Sequence, residues 1–452
     1  MSKSFTVEGG IPLKGEVRIS GAKNAATKEI TASLLSCEPL TLENVPDISD
    51  VEIDLEIVKS LGVEVRKLGV GVLNLRPAIS LKTEVPEKLS CQSRGAILTL
   101  GPLLARFGRA VLPLPGGCAI GTRPLDRHLA GLEALGAKFE IKEGGKIVGR
   151  AKKLQGGRVV FKKNTVMGTE NIVLAGVLAE GETEILGAAT EPEVDDLVVL
   201  LKKMGAQIER DVQNPRTLRI QGVQSLKEAR HRVLPDRNEA VTFAVAAAVT
   251  RGDVLLTDLV VSDLTAFLAK LQKIGVSYEI RGKNLRVWVK EGAVFQPVEV
   301  ETAPHPGFMT DWQQPLTVLL TQAKGESLVH ETVYEDRWKY LSELRKLGAK
   351  AALFTPRELG RDFNPSAYGF DWPLGSARGK KEPQTFARIS GPAPLKGAKV
   401  QITDLRAGAS LVLAALAAEG KSEVFGVEHL ERGYENFEWK LKALGARIEK
   451  KG

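Results

Sequence analysis

The sequence repeats one short phrase six times, and this repeat limits the folds that the chain can adopt. The first copy, Leu-Gly-Val-Glu-Val, contains Gly62. Similar copies contain Gly136, Gly205, Gly275, Gly348 and Gly445. Successive glycines are 74, 69, 70, 73 and 97 residues apart. A period of about 70 residues indicates one supersecondary unit that has been copied along the chain.

Each copy of the phrase lies between a helical pattern and an alternating pattern. Leu129, Leu132 and Leu135 recur at helical spacing, and residues 138–141 then alternate. Because glycine supplies the left-handed conformation that ends many helices, the phrase predicts a helix followed by a strand. Earlier in each repeat, a second helical pattern ends at a glycine and precedes a β-branched run, as in residues 177–183. We therefore expect two helices and several short strands in every repeat.

The two ends of the sequence indicate how the repeats are divided. Residues 10–17 resemble residues 393–400, and the sixth repeat stops soon after its phrase. We therefore expect residues 5–20 to pair with the C-terminal repeat and supply its missing strand. The prediction is an α/β (α+β) protein with two domains of three repeats each. Domain one is residues 21–234, and domain two is residues 235–452 with residues 1–20.

Composition excludes some classes of protein. With 43% hydrophobic and 26% charged residues, the chain has the composition of a globular protein. It has no apolar signal run and no stretch of about 18 apolar residues, so we expect a cytoplasmic protein that does not enter a membrane. The net charge of +8 permits nucleic-acid binding, but only 5% of residues are aromatic. No basic helix is evident, and we favour a small anionic substrate.

Charged and polar residues recur at the predicted starts of helices. On the first helix of each repeat they are Lys23, Asn24, Arg94, Glu170, Asn171, Asp236, Arg237, Asp311, Asp404 and Arg406. Before the second helices they are Arg123, Arg337 and Arg432. Helix N-termini and arginines both attract oxyanions, so pseudo-symmetric packing of the repeats would create a polyanion site. The alternative is that each residue only caps a helix at the surface.

Residues 115–124 form a glycine-rich loop that carries Cys118 and Arg123. A nearby positive charge lowers a thiol pKa from about 8.5, so Cys118 is a candidate reactive thiol, although a lone cysteine is more often a small buried hydrophobe. That second interpretation is the one we expect for Cys37 and Cys91, in or beside apolar runs. The three cysteines fit no zinc pattern, and no nucleotide-binding glycine motif is present, so no cofactor is expected. His128, His231, His305, His330 and His429 are scattered, which predicts structural histidines and no metal site.

Several of these segments resemble the enolpyruvyl transferases, and the resemblance covers nearly the whole chain. They are residues 21–26, 115–124, 170–171, 302–306, 310–311, 403–407 and 432–435. The cysteine loop is similar to that of the members that use UDP-N-acetylglucosamine rather than a shikimate. The resemblance implies a two-domain inside-out α/β barrel, with three repeats around buried helices in each domain and an active site between the domains. A monomer is expected.

The implied activity is transfer of the enolpyruvyl group of phosphoenolpyruvate to the 3′-hydroxyl of UDP-N-acetylglucosamine, with release of phosphate, in the first committed step of peptidoglycan synthesis. By resemblance, Cys118 is the proton donor and Asp311 is the base. The phosphoenolpyruvate site would contain Lys23, Asn24, Arg123, Arg337, Arg406 and Arg432. The UDP-N-acetylglucosamine site would contain Asn24, Arg94, Arg123, Pro124, Leu125, Asp126, Arg127, Lys163, Asn164, Thr165, Val166, Asp311 and Val333.

The chain departs from the family pattern at Met167, near the implied uridine side, and at Asn238 and Val241, where the loss of a glycine could alter a hinge. These changes leave open a paralogue with a different acceptor. A sugar-nucleotide binding protein without activity is the other alternative, but binding alone does not need Cys118 or Asp311.

The long fifth spacing, of 97 residues, contains an insertion at about residues 355–385, which we place in a hairpin of repeat six. Its composition fits either a disordered segment or a docking surface. Because hairpins lie away from helix N-termini, we expect the insertion to be remote from the chemistry. Closing a turn of this length costs only about 2 kcal/mol of entropy. Trimming it should therefore keep turnover within about tenfold and should not lower the melting temperature.

Overall fold

The computed structural model describes residues 3–116, 125–371 and 382–452. Its helices are α1 (Lys23–Ala32), α2 (Ser49–Leu61), α3 (Glu87–Ser90), α4 (Leu100–Phe107), α5 (Asp126–Ala134), α6 (Val166–Gly176), α7 (Pro192–Lys203), α8 (Arg237–Val249), α9 (Thr265–Ile274), α10 (Gln313–Leu320), α11 (Tyr340–Lys346), α12 (Leu405–Ala417) and α13 (Phe437–Ala443). Its strands are β1 (Ser4–Glu8), β2 (Lys14–Arg18), β3 (Leu40–Glu43), β4 (Val63–Gly69), β5 (Val72–Pro77), β6 (Arg109–Leu112), β7 (Lys138–Ile141), β8 (Ile147–Arg150), β9 (Arg158–Val160), β10 (Glu182–Leu186), β11 (Gln207–Arg210), β12 (Thr217–Gln221), β13 (Ala229–Arg232), β14 (Asp253–Thr257), β15 (Ser277–Arg281), β16 (Asn284–Trp288), β17 (Glu299–Glu301), β18 (Gly325–His330), β19 (Lys350–Phe354), β20 (Phe386–Gly391), β21 (Lys399–Gln401), β22 (Lys421–Phe425) and β23 (Arg447–Lys451).

Each repeat forms one small sheet, and the sheets share a plan. In repeat four, β14 pairs in parallel with a leading strand, β2, and antiparallel with β16, which pairs with β15. The sheets of repeats one to six are β13-β3-β5-β4, β6-β8-β7, β11-β12-β10-β9, β15-β16-β14-β2, β17-β18-β20-β19 and β21-β22-β1-β23. The six phrase glycines have φ from 88° to 114°, which confirms the predicted left-handed end of a helix in every repeat. Among the described strands the sheets are separate, so no continuous ladder there closes the barrel that the resemblance implies.

The N-terminal segment contributes to two repeats rather than one. As predicted, β1 completes the C-terminal sheet, because it lies antiparallel between β22 and β23. The prediction was wrong for β2, which leads the sheet of repeat four. This placement gives a physical reason for the similarity of residues 10–17 to residues 393–400. Both segments contain the leading strand of a repeat, since β21 pairs in parallel with β22 as β2 does with β14.

The described residues divide into two compact units. The C-terminal unit contains residues 3–19 and the described residues from 235 onward, and the N-terminal unit contains residues 20–116 and 125–234. Each unit has its own apolar core. In the C-terminal unit, α8, α10 and α12 contact one another, and every residue of α8 is buried. A helix that is buried on all sides has no polar face, which agrees with the alanine-rich sequence of α8.

The insertion lies in the hairpin between β19 and β20, as predicted from the sequence. β20 pairs with both β19 and β18, so the hairpin belongs to the sheet of repeat five and our placement in repeat six was wrong. Within residues 355–371, the side chains of Tyr368 and Phe370 are buried, at 5% and 4% exposure. Since burying one aromatic side chain stabilises a protein by roughly 1.5–3 kcal/mol, removing the insertion should lower the melting temperature. This expectation replaces thermally neutral trimming, which considered only the entropy of closing the turn.

The two described cysteines contradict another expectation. Cys37 and Cys91 are exposed, not buried. Cys37 follows the short helical turn Ser33–Leu35, and Cys91 stands at the C-terminal end of α3, so both lie where the chain leaves an element. Apolar neighbours in the sequence indicated a buried segment but not the exposed bend that ends it. Among the described residues, no helix has the length and apolar character needed to cross a membrane.

Candidate active site

Asp311 of the C-terminal unit lies in the helical turn Thr310–Trp312, which leads into α10. The hydroxyl of Thr310 donates to Glu331 Oε2 at 2.8 Å. Nε1 of Trp312 donates to Asn238 Oδ1 at 3.0 Å, and its buried ring meets Phe308 edge-on. Both neighbours of Asp311 are therefore fixed by buried contacts, which holds its carboxylate in one place.

Two buried arginines bind the Asp311 carboxylate. Arg337 Nη2 contacts Oδ1, and Arg406 Nε lies 3.1 Å from Oδ2. The arginines are 3% and 4% exposed. Burial tends to raise the pKa of Asp311, but the charges of Arg337 and Arg406 outweigh it and hold the pKa at about 2. The structure thus brings together Asp311 and Arg337 from one repeat and Arg406 from the next.

Nη1 of Arg406 is buried and has no hydrogen-bond partner among the residues that the structure describes. Buried N–H donors nearly always have an acceptor, and a guanidinium is suited to a carboxylate or phosphate oxygen. Asp404 fixes the start of α12 by accepting hydrogen bonds from the backbone N–H groups of Arg406 and Ala407, both at 3.1 Å. The arrangement can bind an anion at Arg406 beside a potential base.

Glu331 organises the turn that carries Val333, and sequence analysis missed it. Its Oε1 accepts from the backbone N–H groups of Val333 and Tyr334, at 2.7 and 3.1 Å. The same oxygen accepts from Thr302 Oγ1 at 3.0 Å, and Oε2 accepts from Thr310. Burial raises the pKa of Glu331. A single glutamate after β18 gives no signal in the sequence, because its role depends on groups that only the fold brings together.

Arg432 also belongs to the C-terminal unit. It lies half-buried between the turn Val427–His429 and α13.

In the N-terminal unit, Lys23 is the first residue of α1 and Asn24 follows it. Lys23 Nζ lies 2.5 Å from Oδ2 of Asp50, in the first turn of α2. Sequence analysis missed Asp50. The sequence did contain a clue to Asp50. It lies in the first turn of the second helix of its repeat, close to where two other repeats carry Arg337 and Arg432.

Arg94 and Arg127 both act on one buried histidine of the N-terminal unit. Arg94 begins the helical turn Arg94–Thr99, where Ser93 Oγ accepts from Gly95 N and donates to Asp54. His128 lies in α5, and burial, followed by the charges of Arg94 and Arg127, lowers its pKa to about 3. The two arginines are thus brought to the same region, as the resemblance implies for a nucleotide sugar.

Arg127 also connects α5 to the segment before α6. Its Nη1 donates to the backbone oxygen of Asn164 at 3.4 Å, and Asn164 Nδ2 donates to Glu191 Oε1 at 2.9 Å. Thr165 caps α6 by accepting from the N–H of Gly168. The adjacent members of the predicted site are half-buried except the exposed Asp126; they are Leu125, Asp126, Lys163 and Val166. The predicted contacts Cys118, Arg123 and Pro124 lie outside the described residues.

Two of the predicted helix-start residues belong to the core. Asn171 accepts from the N–H of Gly101 and donates to the backbone oxygen of Ile97, so it connects neighbouring helical segments. Glu170 is fully buried, and neither carboxyl oxygen has a hydrogen-bond partner among the described residues. Burial raises the pKa of Glu170 to about 7.

One group of side chains has the composition of a metal site. Potential ligand atoms of Glu29, Asp196 and His231 lie within 4.8 Å of one another. However, Lys203 Nζ lies 3.0 Å from His231 Nδ1, and because an ammonium only donates, Nδ1 accepts. Nε2 then carries the hydrogen that faces Asp196 Oδ1 at 3.0 Å, so it has no lone pair for a metal. We therefore assign the group to the structure of the unit.

The departures from the family pattern occupy defined positions. Asn238 and Val241 are buried in α8, and Asn238 accepts the hydrogen bond from Trp312 described above. Asn238 therefore helps to hold the Asp311 turn, and Val241 belongs to the core of the C-terminal unit. Met167 lies in the first turn of α6 and packs against the core of the N-terminal unit.

Comparison with known proteins identifies the class. A family model described as EPSP synthase (3-phosphoshikimate 1-carboxyvinyltransferase) matches residues 7–441, and the chain belongs to this family of enolpyruvyl (carboxyvinyl) transferases. Relatives named UDP-N-acetylglucosamine 1-carboxyvinyltransferase include those of Koribacter versatilis and Caldanaerobacter subterraneus. The Koribacter relative is 42% identical, and the match covers 99% of this chain and 96% of the relative. The Caldanaerobacter relative is also 42% identical, and the match covers 100% of both chains. The resemblance inferred from the sequence is confirmed.

The fold is similar to those of two solved structures. One is the enolpyruvyl transferase NikO from Streptomyces tendae, with a TM-score of 0.85 at 24% identity over 99% of both chains. The other is the EPSP synthase from Acinetobacter baumannii, with a TM-score of 0.71 at 18% identity over 100% of both chains. These likenesses confirm the predicted α/β fold class.

Proposed function

We propose that this chain transfers the enolpyruvyl group of phosphoenolpyruvate to the 3′-hydroxyl of UDP-N-acetylglucosamine and releases phosphate. The observation that carries the proposal is the identity of 42% to relatives of that name over essentially the full length of the chain. The cluster of Asp311, Arg337 and Arg406 supports it, because it combines a carboxylate with an anion-binding guanidinium. In the cell the reaction would be the first committed step of peptidoglycan synthesis, in the cytoplasm.

The chemistry is an addition followed by an elimination. In the addition, Cys118 gives a proton to C3 of phosphoenolpyruvate, the sugar oxygen bonds to C2, and Asp311 accepts the hydroxyl proton. In the elimination, a proton leaves C3, the double bond re-forms, and the bond from C2 to the phosphate oxygen breaks. Both steps need fixed positive charge near the phosphate and the carboxylate. We assign this charge to Lys23, Arg123, Arg337, Arg406 and Arg432.

The ion pairs of Asp311 constrain this mechanism. A carboxylate with a pKa of about 2 is a weak base at neutral pH, since efficient general bases have pKa values near the working pH. A substrate anion at Arg406 Nη1 would compete with Asp311 for the guanidinium charge. Weaker pairing would raise the pKa of Asp311 towards a useful range. Substrate binding would thereby activate the base in the same step that positions the substrate.

The nucleotide sugar would use the cationic groups of the N-terminal unit. Arg94 and Arg127 affect the same histidine, and Arg127 contacts the Asn164 backbone beside Lys163 and Thr165. Such a group of cations suits a diphosphate, which carries its charge on several oxygens. No metal or other cofactor has a step in this proposal, and the enzyme would act as a monomer.

The test is an assay of phosphate release from phosphoenolpyruvate by the purified full chain. We expect release only when UDP-N-acetylglucosamine is present, with one enolpyruvyl sugar nucleotide formed for each phosphate. Release with a different sugar nucleotide, and not with UDP-N-acetylglucosamine, would favour the paralogue with another acceptor. Binding of the sugar nucleotide without phosphate release would leave only the binding protein.

A further inference from the structure

We propose that the insertion between β19 and β20 positions the Glu331–Tyr334 turn, residues 331–334, and thereby sets the affinity for the acceptor substrate. The inference rests on the proposed function and on the family resemblance, which implies that Val333 of this turn contacts UDP-N-acetylglucosamine. It concerns only the described part of the insertion, residues 355–371 and 382–385. The residues involved are positioning residues, because they would act through the turn and not on the substrate.

The insertion is anchored to the sheet of repeat five. Arg361 Nη2 lies 2.6 Å from Glu299 Oε1 of β17, and its guanidinium stands over the ring of Phe386 in β20, 5.0 Å from the centroid. The ring of Tyr368 packs against Phe370, with centroids 5.0 Å apart. Tyr368 and Phe370 are buried, so this segment has a fixed place beside the sheet.

A hydrogen-bond chain connects the insertion to the end of β18. The Tyr368 hydroxyl lies 3.0 Å from His330 Nε2, and His330 Nδ1 lies 2.9 Å from Glu301 Oε2. Because a carboxylate accepts, Nδ1 carries the hydrogen, and a neutral His330 accepts from Tyr368 at Nε2. Burial lowers the pKa of His330, which favours this neutral form. His330 also stacks on Phe386 at 3.9 Å, and the next residue in the chain is Glu331.

The backbone of the insertion contacts the turn directly. The N–H of Gly369 donates to the carbonyl of Thr332 at 2.8 Å, and the carbonyl of Thr385 accepts from the N–H of Glu331 at 2.8 Å. A Cβ atom at Gly369 would lie 3.3 Å from the Val333 oxygen and 3.4 Å from its Cα. The two ends of the insertion thus hold the turn on both sides, and position 369 has little space for a larger residue.

Glu331 connects this support to the site. Its carboxylate holds the N–H groups of Val333 and Tyr334 on one oxygen and the hydroxyl of Thr310 on the other. A shift of the insertion would move Val333 first. Asp311 is connected to Glu331 through Thr310 but is also held by Trp312 and by its arginines, so the chemical step should be affected less. The expected effect is therefore on acceptor binding more than on turnover.

The experiment compares three variants of the full chain. Gly369→Ala places a methyl group against Val333, and Tyr368→Phe keeps the ring but removes the hydroxyl. Ser366→Ala changes an exposed residue of the same insertion and is the matched control. We expect Gly369→Ala to raise the KM for UDP-N-acetylglucosamine about tenfold and Tyr368→Phe about threefold. The kcat and the KM for phosphoenolpyruvate should stay within about twofold in all three variants.

Amide hydrogen exchange supplies a readout that does not need activity. In Gly369→Ala the amides of Val333 and Tyr334 should exchange faster than in the parent, and in Ser366→Ala they should not. Unchanged exchange and an unchanged acceptor KM in Gly369→Ala would overturn the inference. An equal rise of both KM values with a lower melting temperature would also overturn it, because it would show a general role in stability. A parent protein that releases no phosphate would refute the proposed function, while the exchange result would still decide whether the insertion holds the turn.

Discussion

Asp311 and Glu170 occupy comparable positions in two repeats, but the structure gives them opposite charge behaviour. Asp311 lies in the turn that leads into α10 and Glu170 in the second turn of α6, each the first helix of its repeat, and both are largely or fully buried. The pKa of Asp311 is held at about 2, whereas that of Glu170 is raised to about 7. Burial acts in the same direction on both, so it cannot account for the difference.

The difference comes from residues contributed by other segments. Asp311 is bound by Arg337, before the second helix of its own repeat, and by Arg406, from the next repeat. Glu170 is only partly compensated by Lys28, and Glu193 and Glu191 add negative charge nearby. A repeated helix start therefore fixes where a carboxyl lies, but neighbouring segments decide whether it remains ionised. Only the ionised carboxyl belongs to a cluster that can accept a substrate and a proton.

Replacing Asp311 should have the largest effect, because it removes the ionised member of this comparison. Asp311→Asn keeps the size of the side chain but cannot accept the hydroxyl proton. We expect kcat for phosphate release to fall by about 10²–10⁴-fold, the usual contribution of a general base. The measurement is steady-state phosphate release, with circular dichroism to show that the variant is folded.

Asp336→Asn is the matched control, because Asp336 is an exposed carboxylate beside Arg337 that pairs with Lys339. It should retain turnover within about twofold. Near-normal turnover in Asp311→Asn would exclude Asp311 as the base and would leave its ion pairs with a purely structural role.

Replacing Glu170 tests the other side of the comparison. The folded-state pKa of about 7 lies above the ordinary glutamate value of 4.5, so the folded protein keeps a proton that the unfolded chain releases between these pH values. The parent protein should therefore lose stability as the pH rises from about 4.5 to about 7, by up to about 3 kcal/mol from this group. Glu170→Gln should not show this loss, and its stability relative to the parent should increase with pH. Urea unfolding at pH 5 and pH 8 measures the effect.

The exposed Glu182 of β10 offers a matched substitution, and Glu182→Gln should show little change in the same window. If Glu170→Gln is not stabilised relative to the parent at the higher pH, then Glu170 has a compensating partner and the contrast with Asp311 is smaller than we describe.

Lys23 gives the smallest expected effect, because its ion pair with Asp50 is partly open to solvent. In the proposed mechanism Lys23 shares the phosphate of phosphoenolpyruvate with several arginines. Lys23→Ala should raise the KM for phosphoenolpyruvate about tenfold and change the KM for UDP-N-acetylglucosamine less. Lys59→Ala, at an exposed position of α2, is the comparison variant. Equal increases for both substrates would indicate a defect in folding and not the loss of a phosphate contact.

The sequence predicted the parts of the fold that depend on local chemistry. The phrase glycines marked left-handed helix ends, and the pairing of β1 with β23 followed from a missing strand. The place of β2 was missed because its partner, β14, is more than 200 residues away and its pattern is that of any leading strand. The exposure of Cys37 and Cys91 was missed because apolar neighbours do not show where the chain bends outward.

For the site, motifs predicted Asp311, Arg337 and Arg406, and the structure brings them into contact. The sequence could not predict which helix-start carboxyls are ionised, because that depends on distances between groups from different repeats. Glu331 and the insertion were missed as supports of the turn for the same reason. Their contacts run through backbone groups and a single buried carboxylate, which have no motif.

The position of β1 has a consequence for how the protein is made. Residues 4–8 pair with residues 421–425 and 447–451, so their partners are synthesised more than 400 residues later. During translation this early strand has two unpaired edges while the residues that follow emerge from the ribosome, and exposed strand edges are prone to aggregation. The N-terminal unit needs no such late partner, since residues 20–234 contain the strands of its three sheets. We therefore expect it to fold first, while β1 depends on chaperones until the last hairpin strand has been made.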